Sequence, residues 1–298
     1  MENYAGYPSL DEVKVALVKI FADLIKFCDE HGLTYYLSGG TAIGAVRHGG
    51  FIPWDDDIDI YLMREDYERF LSLRDSLPED SPYEIIDMRS PGYYLPLAKF
   101  CKKNSTIWEH ENIPFLMGLY VDVFPLDEFN GSKENIKLAF DYRRAWEDYA
   151  RSLRRHKMSH FLSKILRGTL RPIPRMVEDI LWFCPREHIY RERILKMEEQ
   201  IRRTTGDFLY CYGMGSGELK FSYPKEWFAR RIDITFEGLT VKIHEGYDGY
   251  LSKQFGNYME FPPEAERVST HKRFFLELDH PRRSQEEVLA IKKELGEL

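Results

Sequence analysis

The chain has 298 residues, 43% of them hydrophobic and 14% aromatic, which is ample for one large globular body or two smaller ones. Its formal net charge of −7 excludes sequence-independent nucleic-acid binding by the whole surface. No apolar run reaches transmembrane length, and Met1-Glu2-Asn3-Tyr4 lacks the basic and apolar regions of a signal peptide, so a cytoplasmic protein is expected.

Ser9-Leu10-Asp11-Glu12 reads as a capping box, and Val13, Leu17, Ile20, Phe21, Leu24 and Phe27 follow at helical spacing until Gly32. Tyr35-Tyr36-Leu37 is then a short strand that delivers Ser38, Gly39 and Gly40. A double glycine lets the backbone approach a ligand closely, and the amides that open a helix over 41–48 form an anion site. After a bend, alternation along a strand sends Asp57 and Asp59 to one side and Ile58 and Ile60 into a core. Two carboxylates roughly 6 to 7 Å apart on one strand face can share a hard cation. Oxygen ligands select Mg²⁺ or Mn²⁺. A solvated acidic face is the competing reading. The apolar run Ile58-Asp59-Ile60-Tyr61-Leu62 counts against it, because an unpaired buried carboxylate is costly. An anion site beside a divalent metal points to phosphoryl or nucleotidyl transfer.

Residues 65–73 read as a helix, and 83–87 and 97–102 as strands. Lys99 on the latter contacts phosphate or lies on a solvated edge. In Gly118-Leu119-Tyr120-Val121-Asp122-Val123-Phe124-Pro125-Leu126-Asp127, Asp122 is a carboxylate in mid-strand and needs a partner. A metal already held by Asp57 and Asp59 is one candidate, a buried arginine the other. Residues 130–207 look helical. Within them the basic run from Arg151 to Arg175 has no acidic residue, and it either lies against anionic lipid or forms a solvated helix face. Cys211-Tyr212-Gly213-Met214-Gly215-Ser216-Gly217 reads as a turn. Residues 231–236 and 239–243 form a hairpin around Glu237-Gly238. Residues 247–255 form a helix ended by Gly256, and 257–263 are extended, since proline disfavours helix in the residue before it. Arg267 and His271 follow at helical spacing and either reach phosphate or stay on the surface, before a charged helix or tail over 284–298. Cys28, Cys101, Cys184 and Cys211 are too scattered for a disulfide framework or a zinc site and read as small buried hydrophobes.

Three blocks together resemble one family. They are Leu37-Ser38-Gly39-Gly40-Thr41 through Trp54-Asp55-Asp56-Asp57-Ile58-Asp59-Ile60, then Val121-Asp122-Val123-Phe124-Pro125-Leu126-Asp127, and last Phe236-Glu237-Gly238 through Gly246-Tyr247-Asp248 to Gly256-Asn257-Tyr258-Met259 and Pro262-Pro263. At these residues the chain resembles the LicD family of bacterial phosphocholine transferases, whose distant relatives include fukutin and the fukutin-related protein. Asn257 departs from the family's usual aspartate, and His244 stands where a proline is common.

The resemblance implies an α/β (α+β) nucleotidyltransferase-like mixed sheet flanked by helices. Residues 1–130 would form its catalytic core, 131–220 a helical insertion, and 221–298 a hairpin and helical segment completing the core. It also implies transfer of a phospho-alcohol, typically phosphocholine from CDP-choline, onto a hydroxyl of a cell-surface glycan or lipid-linked precursor at the inner membrane face, with release of CMP. In that scheme Asp57, Asp59 and Asp122 are catalytic and hold the Mg²⁺ or Mn²⁺. Ser38, Gly39, Gly40 and Thr41 cradle phosphate, with Arg47, His48 or Lys99 adding positive charge. Trp54, Trp108, Tyr120 and Tyr258 are the aromatic candidates for a choline cage. True nucleotidyl transfer and a catalytically silent glycan-binding relative are the alternatives.

Overall fold

The computed structural model of the chain describes residues 7–154, 187–269, 271 and 273–297. It is a mixed α/β fold. The chain begins with α1 (Leu10–Glu30), whose capping box forms as the sequence requires, the Ser9 hydroxyl accepting from the Glu12 amide and the Glu12 carboxylate from the Ser9 amide. The helix buries Val13, Leu17, Ile20, Phe21, Leu24 and Cys28, a stripe that packs on the central sheet.

The sheet is built from β1 (Tyr35–Leu37), β2 (Asp59–Met63), β3 (Tyr83–Ile86), β4 (Ala98–Lys102) and β6 (Tyr120–Phe129), in the order β1-β2-β6-β4-β3. Among the described residues only the β2–β6 pairing of this sheet is parallel; β1–β2, β4–β6 and β3–β4 are antiparallel. Two helices flank β2, α2 (Gly39–His48) before it and α3 (Arg64–Ser72) after it. At the far ends of the parallel pair, Arg64 forks onto Asp127 at 2.6 and 2.7 Å, which pins the register of β2 against β6.

Beyond Asp127 the end of β6 pairs with β7 (Phe208–Tyr210), and β7 with β8 (Ser222–Pro224). There α4 (Lys133–Ser152) and α5 (Glu187–Arg202) form a second buried cluster around Phe129, Tyr142, Trp146, Tyr149, Ile194 and Tyr210. The hairpin of β9 (Arg231–Phe236) and β10 (Leu239–His244) turns at Glu237 and Gly238, both with positive φ, as a two-residue hairpin turn demands. After α6 (Tyr247–Phe255), β11 (Phe275–Leu278) pairs with β5 (Ser105–Trp108), and α7 (Gln285–Glu294) closes the described chain on its own capping box, Ser284 with Glu287.

Several expectations need correction. Strand β2 starts at Asp59, so Asp57 and Ile58 belong to the approach to the strand; this approach is set by Lys14, which donates to the carbonyls of Ile52 and Pro53. Residues 257–260 form a turn instead of an extended run, closed by the Glu260 amide on the Asn257 carbonyl and held by Arg47 on the Tyr258 and Glu260 carbonyls. Past the single turn Glu264–Glu266 there is no helix at Arg267 or His271, because Ser269 and His271 are drawn instead to Asp56. Strand β5 was hidden by its polar start: Ser105 is buried because its hydroxyl bridges the Lys102 carbonyl and the Leu119 amide. Cys28, Cys101 and Cys211 are buried as expected. Cys184 and residues 155–175 of the basic run lie outside the described residues. Among the described residues no helix is long and apolar enough to cross a membrane.

Candidate active site

Register places three charged side chains side by side. Asp59 on β2 faces Asp122 on β6, and Asp122 faces Lys99 on β4. Lys99 Nζ donates to Asp122 Oδ1 at 2.6 Å. The partner of Asp122 is thus a lysine, not the arginine considered from sequence, and Lys99 is a fully buried residue of the central sheet, not a solvated edge.

The start of α2 lies directly over Asp59. The Ser38 amide donates to the Asp59 carbonyl, and the Asp59 amide donates to the Thr41 hydroxyl at 2.9 Å. Ser38 Oγ is buried and makes no hydrogen bond among the described residues. A Cβ on Gly39 would stand 3.1 Å from Asp59 Oδ2, and one on Gly40 only 2.6 Å from Asp55 Oδ2. Both glycines are therefore needed for the carboxylates to sit against the helix start, where its partial positive charge favours them. The Gly39 amide is already used, donating to the Tyr250 hydroxyl at 2.9 Å, so an anion at this end would meet Gly40 and Thr41.

The three consecutive aspartates divide their work. Asp56 turns inward, fully buried, and accepts from Ser269 Oγ at 2.8 Å, meets His271 Nδ1 at 3.0 Å and forms an ion pair with Arg273. Burial alone would push its carboxyl up; His271, Arg273 and Ser269 together outweigh this and hold it below the usual range. Asp55 and Asp57 turn the other way and, with His271, form a group whose ligand atoms lie within 4.8 Å of one another. Burial and the neighbouring Asp57 push Asp55 up to about 8. Burial and the charges of Asp57, Asp122 and Asp55 push Asp59 well above the ordinary range. Asp122 is raised to about 6, burial outweighing Lys99. His271, hydrogen-bonded to Asp56, is raised to about 9.

Sequence reasoning passed over Asp55, although it precedes Asp57 by two and shares its alternation. It also gave no sign of Glu109, or of Arg273, whose partner Asp56 lies 217 positions away in the chain. The other sequence candidates are placed elsewhere. Arg47 and His48 stand at the opposite end of α2, eight and nine residues or roughly 12–14 Å from Gly39. There Arg47 donates to the carbonyls of Tyr258 and Glu260, and Tyr258 donates to Asp248 at 2.7 Å. The four cage aromatics are each engaged separately. Trp54 contacts Arg267 and Phe261, Trp108 packs with Phe275 and Val288, and Tyr120 bonds Glu109 under the Lys99 ammonium.

Comparison with known proteins bears on this geometry. Residues 32–163 match the family described as LicD/FKTN/FKRP, nucleotidyltransferase domain. The chain is 28% identical over 280 residues to the lipopolysaccharide cholinephosphotransferase LicD of Haemophilus influenzae, covering 88% of this chain and 96% of that one. It is 46% identical over 43 residues to the ribitol 5-phosphate transferase FKRP of Homo sapiens and likewise of Mus musculus, covering 14% of this chain and 9% of those. The paired strands of Asp59 and Asp122 lie inside the region, residues 32–163, that is similar to the nucleotidyltransferase domain of the LicD, FKTN and FKRP family.

Proposed function

We propose that the chain is a transferase that moves a phospho-alcohol, phosphocholine from CDP-choline in the first instance, onto a hydroxyl of a cell-surface glycan or its precursor and releases CMP. The LicD relative, matched along 96% of its length, is by name a cholinephosphotransferase, and FKRP by name transfers ribitol 5-phosphate. The observation that carries the reading is the convergence of Asp55, Asp57, Asp59 and Asp122 at the start of α2, where their mutual repulsion and burial raise Asp55, Asp59 and Asp122.

That excess of buried carboxylate oxygen fits a hard divalent cation such as Mg²⁺ or Mn²⁺. Asp57, Asp59 and Asp122 would hold it, and when bound it would supply charge neutralisation for the diphosphate of the donor. The amides of Gly40 and Thr41 would orient the same diphosphate from the helix side. If Asp122 instead keeps Lys99 on Oδ1 and does not ligate the cation, its Oδ2 would take the proton of the acceptor hydroxyl as that oxygen bonds to phosphorus and the bond to CMP breaks. In this reading residues 1–130 and 221–298 make one catalytic body and 131–220 an insertion.

The test is a panel of CDP-linked donors assayed for CMP release with Mg²⁺ and a glycan acceptor, with Asp59→Asn alongside. Release that needs both Mg²⁺ and acceptor, lost in Asp59→Asn at unchanged circular dichroism, is the expected outcome. Retained turnover in Asp59→Asn refutes the catalytic assignment. A product that carries an added nucleotide by mass spectrometry replaces the reading with nucleotidyl transfer.

A further inference from the structure

Glu109 follows β5 and belongs to none of the sequence blocks that pointed to the site. Its carboxylate is nevertheless built into the charged row. The hydroxyls of Tyr120 and Tyr94 donate to Oε1 and Oε2, and Oε1 lies 4.0 Å from Lys99 Nζ. Lys99 is 1% exposed, so its ammonium has little access to water, and it sits 3.3 Å from the centre of the Tyr120 ring. Burial alone would raise Glu109; Lys99 and the two tyrosine donors outweigh it and keep the carboxylate ionised.

One buried ammonium therefore faces two carboxylates, Asp122 at 2.6 Å and Glu109 at 4.0 Å. Asp122 alone would balance its charge. The second carboxylate matters only if Asp122 is called away, since a buried cation cannot be left unpaired. On the proposed reading, Asp122 is called away when it ligates a divalent cation. We propose that Glu109 is a positioning residue: held by Tyr94 and Tyr120, it is the alternative counter-charge that lets Lys99 stay in place while Asp122 turns to the metal. Without the Glu109 charge, Lys99 and the divalent cation compete for Asp122.

The experiment titrates Mn²⁺ alone, without donor or acceptor, by calorimetry into the full chain. Wild type and Asp59→Asn test the underlying reading; Glu109→Gln, Lys99→Gln and the double variant test the proposal. The expected result is an affinity loss in Glu109→Gln of roughly 10–100-fold, the usual effect of removing a partner that supports a metal ligand. The double variant should bind within a few-fold of Lys99→Gln, because the competitor has gone; a merely structural Glu109 would not be rescued by removing Lys99. Wild-type affinity in Glu109→Gln, or a double variant weaker than either single one, overturns the proposal while leaving the metal site standing. A wild-type chain that binds no Mn²⁺, or an Asp59→Asn variant that binds it as well, overturns both. If Glu109→Gln does not fold, Tyr94→Phe removes one of the two donors with the charge kept and should weaken binding in the same direction; unchanged affinity there is equally fatal.

Discussion

Asp56 and Arg273 carry a prediction whose size follows from their burial. The Asp56 side chain is 0% exposed and that of Arg273 5%. Arg273 also donates to the Asp56 carbonyl at 2.9 Å. Asp56→Asn keeps the shape but removes the charge, leaving a guanidinium buried against an amide. Breaking a buried pair from one side costs about 3–5 kcal/mol. Chains of about 150–250 residues lose about 2–4 °C of Tm per kcal/mol, less for longer ones, so 298 residues should lose roughly 6–10 °C. Thermal melts followed by circular dichroism at pH 7 read this directly. The double variant Asp56→Asn/Arg273→Met removes the stranded cation too and should recover part of the loss, a positive coupling in the double-mutant cycle. A single variant melting within about 1 °C of wild type, or a double variant no more stable than Asp56→Asn, refutes the argument that this pair clamps the acidic loop.

Two further outcomes follow from packing and burial. Gly44→Ala should destabilise the chain by roughly 1–3 kcal/mol in urea unfolding, since the new methyl would meet the Gly50 carbonyl oxygen at 2.3 Å and the Ile52 nitrogen at 3.2 Å, both backbone atoms. The gain of helix propensity, about 1 kcal/mol, is smaller, so a variant more stable than wild type would show that the 50–52 turn yields. His244 stacks on Phe228 with ring centres 4.0 Å apart, and burial lowers it to about 4. Between its ordinary value near 6.5 and about 4 only the unfolded chain takes up this proton, so the stability it contributes is intact above pH 6.5 and lost as pH falls towards 4. The loss amounts to about 1.4 kcal/mol per pH unit and roughly 3 kcal/mol in all. His244→Phe should remove that slope in urea midpoints taken from pH 7 to pH 4; parallel curves for variant and wild type would refute it.

Local signals were readable from sequence where both partners lie close together. The Ser9 and Glu12 cap, the Glu237-Gly238 hairpin and the helix stopped by Gly256 each depend on residues within a few positions, and each is found at or within a residue of its expected bounds. Alternation also placed Asp59 and Asp122 on strands, and the sheet sets them side by side. What stayed hidden was the identity of distant partners. Nothing near Asp56 announces that its counter-charge arrives from Arg273, and nothing near Asp122 announces Lys99, because sheet order is decided by burial across the whole fold. The expected extended run at 257–263 failed over 257–260 for the same reason: propensity favoured it, but Arg47 gathers two of its carbonyls into a turn.

The bond between Asp56 and Arg273 spans 217 positions of the chain. At a ribosome adding about 5–20 residues each second, the acidic loop waits roughly 10–40 s for its clamp. A nascent or prematurely ended polypeptide therefore carries Asp56 without its counter-charge until the later segment has emerged. Synthesis itself thus imposes an order in which this loop is clamped late.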